Sequence, residues 1–298
     1  MSFALPSRAR SSAALVLAGV LWGTGGLAGS LFAERAGLSP LAVGAYRLLI
    51  GGGAATLFLA FTGGLRTFPR TGAVLTRLLT VGGLFALFQA SYFAAVKLSS
   101  VSMATMTTIG AAPVLVAMAG AIRRRPGRWT LVSVGGAVAG IVLLRWSPSD
   151  LSPARLAAGI GFALLAAAGF ATLTLVTAKP VDGLEPLPTI AFGGLIGGTL
   201  LAVLAGLPNL ALPLHADVLL LTAYLGVVPT ALAYAAYLRG LVDAHPVLGA
   251  LSAMLEPLTA AVLSGVLLGE RLGALSWCGA AILAAALAVG YWRPEPTT

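Results

Sequence analysis

Two charged side chains stand inside long uncharged stretches of this sequence. Arg47 lies in an apolar stretch that begins at Pro40, and Glu256 lies in one that begins near His245. A charged side chain at the centre of a bilayer costs about 2.5–3.5 kcal/mol on insertion scales, so each position requires a physical reason. The Arg47 guanidinium could face a carboxylate, and the Glu256 carboxylate could bind an ammonium group or a proton. Alternatively, the two charges neutralise each other, or backbone carbonyls and water neutralise them, in a purely structural role.

Further polar and aromatic side chains interrupt the apolar stretches and are candidates to line a cavity. They are Trp22, Gln89, Tyr92, Thr105, Thr108, Tyr224 and Tyr234. A mostly apolar cavity with a few polar groups suits a bulky amphipathic solute, because the ring is desolvated at little cost while the polar groups hold the polar end. The alternative for each tyrosine is ordinary packing or a hydroxyl that reaches the headgroups, and Trp22 could equally be a packing residue.

Three prolines, Pro113, Pro229 and Pro257, lie inside apolar stretches. Proline removes a backbone donor and frees a carbonyl, which kinks helices in bundles. We therefore expect Pro113 and Pro257 to interrupt their helices. All three are candidate hinges beside a cavity that opens and closes, and a static bend fixed by packing is the alternative reading of each.

The sequence has no pattern typical of a metal site, a cofactor site or an enzyme. Cys278, His215 and His245 have no second ligand at a suitable spacing, so we expect no metal ion. The glycine run that begins at Gly23 imitates a dinucleotide fingerprint, but no strand precedes it and no suitable acidic residue follows, so we expect no cofactor. No acid/base or nucleophile constellation indicates catalysis.

The elements that carry these residues are apolar stretches long enough to cross a bilayer as helices. Only 9% of the residues are Asp, Glu, Lys or Arg, against about 25% in soluble proteins. The sequence therefore predicts an all-α integral membrane protein with ten transmembrane helices joined by short loops. The predicted helices are 12–32, 40–61, 72–96, 102–122, 129–146, 153–178, 187–206, 215–238, 245–268 and 273–291.

Basic residues concentrate in alternate connections between these helices, notably around Arg8, Arg66 and Arg123. By the positive-inside rule, this bias predicts that both termini lie in the cytoplasm. The first apolar stretch is too long for a signal peptide and lacks an obvious cleavage site, so it is predicted to be an uncleaved span. We expect a multi-pass protein of a bacterial-type inner (plasma) membrane whose partner is the lipid bilayer. Its net charge of +9 follows from the basic loops and does not indicate nucleic-acid binding.

The two halves of the sequence resemble each other. Residues 92–97 and 234–239 have the same spacing from a tyrosine to a basic residue, and a proline-containing stretch follows each of them. Five helices per half would turn the second copy upside down relative to the first. The sequence predicts an inverted five-plus-five repeat made of residues 12–146 and 153–292, an architecture in which secondary transporters bind substrate near the midplane.

Several short motifs occur in an order that is typical of one transporter family. They are Leu21-Trp22-Gly23-Thr24, Pro40 followed by Tyr46-Arg47, the block from Tyr92 to Pro113, and Glu256-Pro257 leading to Leu267-Leu268-Gly269-Glu270-Arg271-Leu272. Over essentially the whole chain, this order resembles the ten-helix EamA-type branch of the drug/metabolite transporter superfamily. Within that branch the chain looks most like the YddG-type exporters of aromatic amino acids.

The resemblance implies a carrier that moves small organic metabolites out of the cytoplasm by alternating access around a central cavity. It favours amino acids with aromatic or bulky apolar side chains, so the expected substrate is an amino-acid-like small molecule. The sequence leaves the oligomeric state open, and a monomer is compatible with it. Drugs, purine derivatives or other metabolites are the alternative substrates. A lipid scramblase or a polytopic lipid-modifying enzyme is the alternative from a different class of protein.

One motif departs from the family pattern. The second half has Gly269-Glu270-Arg271 where the first half has Ala121-Ile122-Arg123. A family role for this glutamate would therefore carry over to Glu270 only, and an ion pair of Glu270 with Arg271 at the membrane interface is the structural alternative.

Overall fold

The computed structural model describes residues 7–66, 68–99, 101–121, 126–145, 152–267 and 273–292. Within these ranges the chain is helical and contains no β-strand. The α-helices are α1 Ser7–Ala36, α2 Pro40–Phe61, α3 Gly72–Leu98, α4 Val101–Ala121, α5 Arg128–Arg145, α6 Pro153–Thr177, α7 Pro186–Ala205, α8 Ala216–Gly226, α9 Ala233–Leu241, α10 Pro246–Ser252, α11 Leu255–Leu267 and α12 Ala274–Trp292. The segment around Glu270 and Arg271, on which one sequence prediction rests, lies outside the described residues.

The prediction of an all-α membrane protein is confirmed. Seven helices in the described part of the chain are long and apolar enough to cross a membrane, and two shorter helices, Arg128–Leu143 and Trp277–Trp292, are also apolar. The bounds of α2 agree with the prediction, whereas α1 is longer than predicted at both ends. The eighth predicted helix is made of α8 and α9 with a π-helical segment between them, and the ninth is made of α10 and α11.

Side-chain caps and prolines determine where helices begin. The Ala42 amide donates to Ser39 Oγ at 3.3 Å at the start of α2, where Pro40 occupies a first-turn position. The Val74 amide donates to Thr71 Oγ1 at 3.3 Å at the start of α3. A capping oxygen satisfies one of the amide groups that the first turn leaves without a partner, and a first-turn proline loses no helical hydrogen bond.

Glycines bring the helices into close contact. A Cβ atom at Gly52 of α2 would lie 2.7 Å from the Ala191 carbonyl oxygen of α7, and one at Gly140 of α5 would lie 2.6 Å from the Leu283 nitrogen of α12. These distances are shorter than a side chain tolerates, so the crossings depend on the missing Cβ atoms. In a bilayer, where lipid competes for apolar contact, close backbone packing is a main source of helix association.

Pro229 lies in the π-helical segment Val227–Leu232. Because proline has no amide hydrogen, the Leu225 carbonyl four residues earlier loses its normal donor. The Thr230 hydroxyl takes over that function and donates to the Leu225 carbonyl at 2.7 Å. The Leu225 carbonyl therefore has a hydrogen-bond donor from within the protein, as a carbonyl in the interior of a membrane requires.

The other two prolines behave differently from the prediction. Helix α4 continues through Pro113, so the expected interruption at Pro113 is wrong; a single missing hydrogen bond does not end a helix held by its neighbours. The second interruption lies at Ala253, before Pro257, where the Glu256 amide donates to the Ala253 carbonyl at 3.0 Å. Pro257 is the third residue of α11, a position where an amide hydrogen has no intrahelical acceptor, so it begins a helix there and breaks none.

Candidate functional site

A cavity of about 290 Å³ lies inside the bundle. It brings together seven of the nine predicted cavity residues from α1, α2, α3, α4, α9 and α11: Trp22, Arg47, Gln89, Tyr92, Thr108, Tyr234 and Glu256. The remaining two, Thr105 and Tyr224, are not part of its wall. The cavity therefore collects polar and aromatic residues from both halves of the sequence at one place.

Arg47 projects from α2 toward the π-helical segment. Its Nε donates to Thr230 Oγ1 at 3.4 Å, and Arg47 forms no ion pair within the described part of the chain. Gly25 of α1 faces the same place, because a Cβ there would lie 2.9 Å from Pro229 Cβ and 3.9 Å from Arg47 Nη2. The missing side chain of Gly25 thus lets α1 lie close against Pro229 of the π-helical segment, next to the Arg47 guanidinium.

Glu256 lies in the first turn of α11, directly after the interruption of the ninth predicted helix. A carboxylate is favoured there, since the exposed amide groups of a helix N-terminus carry partial positive charge. Gly23 of α1 allows the approach: a Cβ at Gly23 would lie 2.8 Å from the Glu256 carbonyl oxygen and 2.4 Å from Thr259 Cβ. Glu256 is half-buried and borders the cavity. The absence of a side chain at Gly23 allows α1 to lie this close to the start of α11.

Aromatic rings form the deep wall of the cavity. The Trp22 ring centroid lies 5.1 Å from that of Tyr234 and 6.0 Å from that of Phe170, both in edge-to-face geometry. Phe88 extends the wall, with its ring centroid 5.6 Å from that of Phe170. Such contacts hold each ring in a fixed orientation, so the wall is rigid as well as apolar.

Hydroxyl groups near the cavity are mostly engaged within the protein. Tyr92 and Thr105 share a hydrogen bond of 2.7 Å between their hydroxyl groups, and Thr108 Oγ1 donates to the Ala163 carbonyl at 3.1 Å. Thr105 is thus a partner of the wall residue Tyr92. Tyr224 is 37% exposed on the outside of the bundle, where its hydroxyl donates to Thr24 Oγ1 at 2.8 Å.

None of the three predicted hinge prolines lines the cavity. Pro229 and Pro257 instead lie next to the groups that do, in the π-helical segment beside Arg47 and immediately after Glu256. Pro113 is buried within the continuous helix α4. Their function as hinges stays a prediction.

The cavity extends toward one side of the bundle. Its wall reaches Ala33, Pro40 and Val96, near the end of α1, the start of α2 and the end of α3. On the opposite side, fully buried Tyr237 shares a hydrogen bond of 2.6 Å with the Thr174 hydroxyl. Tyr237 also packs against Trp22 of the cavity wall, with their ring centroids 5.0 Å apart.

Sequence reasoning missed most of the apolar wall. The omitted residues are Gly25, Gly29, Ala33, Pro40, Val43, Phe88, Phe93, Val96, Ile109, Phe170 and Ala253. Helical periodicity held a usable signal, because Phe88, Gln89, Tyr92, Phe93 and Val96 lie on one face of α3, at spacings of three and four residues. Phe170 had no such signal, since its contribution depends on how α6 packs against α3.

The fold is that of a multi-pass helical membrane protein with a cavity inside its bundle. The chain belongs to the EamA-like transporter family, whose sequence model matches residues 10–146 and again residues 157–292. The match covers nearly the whole chain, and it confirms the family that the motif order had indicated.

Relatives and a solved structure agree with this membership. The chain is 32% identical over 278 residues to the uncharacterized transporter YwfM of Bacillus subtilis (strain 168), covering 92% of this chain and 91% of that protein. It is 25% identical to the uncharacterized inner membrane transporter YicL of Salmonella typhimurium (strain LT2), covering 90% and 91%. A solved structure described as a crystal structure of a protein superposes with a TM-score of 0.73 at 20% identity, covering 94% and 96%, and supports the fold.

Proposed function

We propose that this EamA-type transporter exports amino acids with aromatic or bulky apolar side chains from the cytoplasm by alternating access. The observation that carries this proposal is that Arg47 and Glu256, which have opposite charges, line one mainly apolar cavity. An amino acid at neutral pH has the complementary set of groups: a carboxylate for the guanidinium, an ammonium group for the glutamate and a side chain for the aromatic wall.

The size and wall of the cavity favour this class over larger solutes. A volume of about 290 Å³ lies just below the usual range for ligand pockets, about 300–1,000 Å³. The rings of Trp22, Phe88, Phe170 and Tyr234 offer edges and faces to an aromatic side chain. A drug-sized molecule would have to leave part of its surface outside.

The two irregular backbone segments support the alternating-access part of the proposal. Arg47 contacts the π-helical segment, and Glu256 begins the helix after the interruption at Ala253. In secondary transporters, discontinuous helices of this kind border the substrate near the midplane. A change in either segment would move a charge of the cavity, which links substrate binding to opening and closing.

Counterflow in proteoliposomes tests the proposal. Purified protein is reconstituted, vesicles are loaded with each unlabelled amino acid in turn, and uptake of labelled phenylalanine is measured. We expect Phe, Trp, Tyr, Met and Leu to drive uptake and Asp, Lys and Gly to fail, with protein-free vesicles as the control. No uptake of labelled phenylalanine with any amino acid inside, in protein that takes up a labelled purine or drug under the same conditions, would contradict the proposed substrate class.

Export is tested separately in cells. Cells that express the protein are preloaded with labelled phenylalanine and transferred to medium without it. We expect faster loss of label than in cells that express an Arg47→Gln variant. Equal rates of loss, in cells whose protein is active in vesicles, would contradict outward transport.

A further inference from the structure

Gln89 on α3 carries a side-chain amide that has no hydrogen-bond partner within the described part of the chain. The residue is 5% exposed and lines the cavity. Its amide atoms are not fully occluded, in contrast to the indole nitrogen of Trp22. Because the little accessible surface that Gln89 retains borders the cavity, we take the amide to be accessible from there. An unsatisfied polar group in a protein interior is rare and requires an explanation.

Gln89 and Arg47 line the cavity at similar depths. Helices α2 and α3 meet where Phe93 packs against Gly44, since a Cβ at Gly44 would lie 2.9 Å from Phe93 Cε2. Consecutive membrane-spanning helices run in opposite directions, so counting forward along α2 and backward along α3 leads from this contact into the bundle. Arg47 lies three residues and Gln89 four residues from the contact, which is about 4.5 Å and about 6 Å along the helix axes. The amide and the guanidinium therefore border one level of the cavity.

Glu256 meets the cavity near the same level. A Cβ at Gly23 of α1 would lie 2.8 Å from the Glu256 carbonyl oxygen, and one at Gly25 would lie 3.9 Å from Arg47 Nη2. Two residues of a helix correspond to about 3 Å along its axis. The start of α11 and the guanidinium therefore approach α1 at neighbouring levels.

Tyr234 connects the two charges to α3. The charges of Arg47 and Glu256 both act on the Tyr234 hydroxyl. The Tyr234 ring packs edge-to-face against Phe85 of α3, with ring centroids 4.8 Å apart. Gln89 follows Phe85 by four residues and therefore lies on the same face of α3. The amide and the two opposite charges thus surround one section of the cavity.

These three groups differ in the hydrogen bonds that they can form. A guanidinium only donates, an ionised carboxylate only accepts, and an amide donates through its NH₂ group and accepts through its carbonyl oxygen. The nitrogen and oxygen of an amide lie about 2.3 Å apart, and the ammonium nitrogen and nearer carboxylate oxygen of an α-amino acid lie about 2.7 Å apart. One amide can therefore donate to the carboxylate and accept from the ammonium group of the same amino acid.

We infer that Gln89 binds both charged groups of the transported molecule, its NH₂ group donating to the carboxylate and its carbonyl oxygen accepting from the ammonium group, so that Gln89 selects amino acids over amines and over carboxylic acids. This inference rests on the proposed function and adds the residue that recognises the two groups together. A solute that fills the cavity takes the amide out of contact with water, so it has to supply both hydrogen bonds. A solute with only one charged group leaves half of the amide unsatisfied, and polar sites reject analogues in this way.

A substitution that removes only the donor tests this inference. Gln89→Glu keeps the shape of the side chain and an acceptor oxygen, but it removes the NH₂ group and repels a carboxylate. Asn209→Asp is the control, because it makes the same chemical change outside the cavity, where the Asn209 amide donates to the Ala205 carbonyl at 2.7 Å. The readout is the concentration of a compound that halves counterflow of labelled phenylalanine.

The compounds are phenylalanine, phenethylamine, which lacks the carboxylate, and 3-phenylpropionate, which lacks the ammonium group. In the wild type we expect phenylalanine to inhibit at the lowest concentration. In Gln89→Glu the value for phenylalanine should rise about 10- to 100-fold, the range for a hydrogen bond to a charged group. The value for phenethylamine should not rise, because the acceptor oxygen is kept, and Asn209→Asp should leave all values unchanged.

A packing role for Gln89 would change phenylalanine and phenethylamine alike. An equal change for these two compounds, or no change for phenylalanine, would overturn the inference. Either result would leave wild-type counterflow, and thus the proposed function, in place. Absence of any wild-type counterflow of phenylalanine would overturn the proposed function and this inference with it.

A spectroscopic measurement on the wild-type protein keeps the test informative where the Gln89→Glu protein is unstable. Gln89 is the only glutamine in the sequence, so glutamine labelled with 15N in its side chain gives one pair of NH₂ signals that needs no assignment. We expect this pair to move downfield with saturating phenylalanine, as a hydrogen bond to a carboxylate requires, and not with saturating phenethylamine. A pair that stays in place with phenylalanine, or that moves equally with both compounds, would overturn the inference.

Discussion

Arg47 and Glu256 reach the cavity from different halves of the chain, Arg47 from α2 and Glu256 from the start of α11. The sequence singled out both residues because charge inside an apolar helix is costly. It left open whether they neutralise each other. In the structure both line one cavity, and Arg47 has a hydroxyl partner in Thr230 and no carboxylate among the described residues. The guanidinium therefore borders the cavity and forms no ion pair with a described carboxylate.

Replacement of Arg47 by Gln removes the charge proposed to bind the substrate carboxylate. We expect the KM for counterflow of phenylalanine to rise about 10- to 100-fold, because the carboxylate loses a charge-assisted hydrogen bond. The matched control is Arg35→Gln. Arg35 pairs with Asp217 at 2.8 Å near the ends of α1 and α8 with half-exposed side chains, and such pairs contribute about 0–1 kcal/mol. Equal KM values for the Arg47 and Arg35 variants would contradict the assignment.

Glu256 is the candidate proton carrier within the cavity. If transport exchanges substrate for a proton, a pH jump across the vesicle membrane drives counterflow of labelled substrate, and Glu256→Gln abolishes this response. The control is Glu34→Gln, an exposed glutamate on α1. A Glu256→Gln protein that keeps full pH-driven exchange would exclude the proton role and favour a facilitator.

At the scale of elements, α1 passes between two irregular backbone segments. Gly19 and Gly23 face the interruption before α11, and a Cβ at Gly19 would overlap the Ser252 carbonyl oxygen. Gly25 faces Pro229 in the π-helical segment. The sequence identified the four-residue spacing of Gly19 and Gly23 as a helix-contact pattern, but that pattern is too common to name its partner. Only the packing of the bundle shows that the partner is the segment that carries Glu256.

Gly23→Ala should destabilise the protein by about 1–3 kcal/mol, the usual range for overpacking. The new Cβ would lie 2.8 Å from the Glu256 carbonyl oxygen, and a backbone atom cannot move aside as the end of a side chain can. Gly53→Ala on α2 is the control, because nothing lies within 4 Å of a Cβ there and alanine is the better helix former. Thermal unfolding in detergent measures both variants, and equal unfolding temperatures would contradict the prediction.

Thr230→Val tests whether the hydrogen bond from the Thr230 hydroxyl to the Leu225 carbonyl stabilises the π-helical segment. The variant leaves the Leu225 carbonyl without its donor and Arg47 without its acceptor, so we expect a loss of about 1–3 kcal/mol in stability together with a higher KM for phenylalanine. Thr199→Val on α7 is the control. Its hydroxyl also donates to a carbonyl, that of Leu195 at 2.8 Å, but no proline has removed the backbone donor there. A Thr230→Val protein as stable as the control would contradict this account.

At the scale of the whole molecule, helix contacts follow the pattern of a two-fold repeat. In the predicted repeat, α1 corresponds to α6, α2 to α7 and α5 to α12, while α3 and α4 correspond to the paired segments α8–α9 and α10–α11. Contacts occur in matching pairs: α1 with α9 and α6 with α3, α1 with α11 and α6 with α4. Helices α2 and α7 contact each other, as do α5 and α12. From this pattern we propose that the two halves are repeats of each other in inverted orientation.

Cysteine labelling measures the inversion directly. With Cys278, the only cysteine, replaced by Ala, single cysteines are placed at exposed Glu34 and Lys179, which are equivalent connections of the two halves. We expect an impermeant maleimide to label position 34 from outside intact cells and position 179 only after permeabilisation. Arg66 and Leu214 form a second pair, in which position 214 should label from outside and position 66 only after permeabilisation. We also expect both chain ends to lie in the cytoplasm. Equivalent positions that label from the same side would contradict the inverted repeat.

The sequence by itself was enough to predict that this protein lies in a membrane, where most of its helices run and which family it belongs to. It also identified most of the polar residues that line the cavity. These properties depend on local apolar length, on helix caps and prolines and on the cost of charge in lipid, all of which can be evaluated within a single helix. The tertiary structure determined which apolar residues line the cavity and where the helices become irregular. Phe170 joins the wall through the packing of α6, α4 continues through Pro113, and the missing donor of Pro229 is replaced by Thr230. The physical reason is that a cavity exists between helices, so its shape depends on which faces meet, and close glycine contacts decide which faces those are.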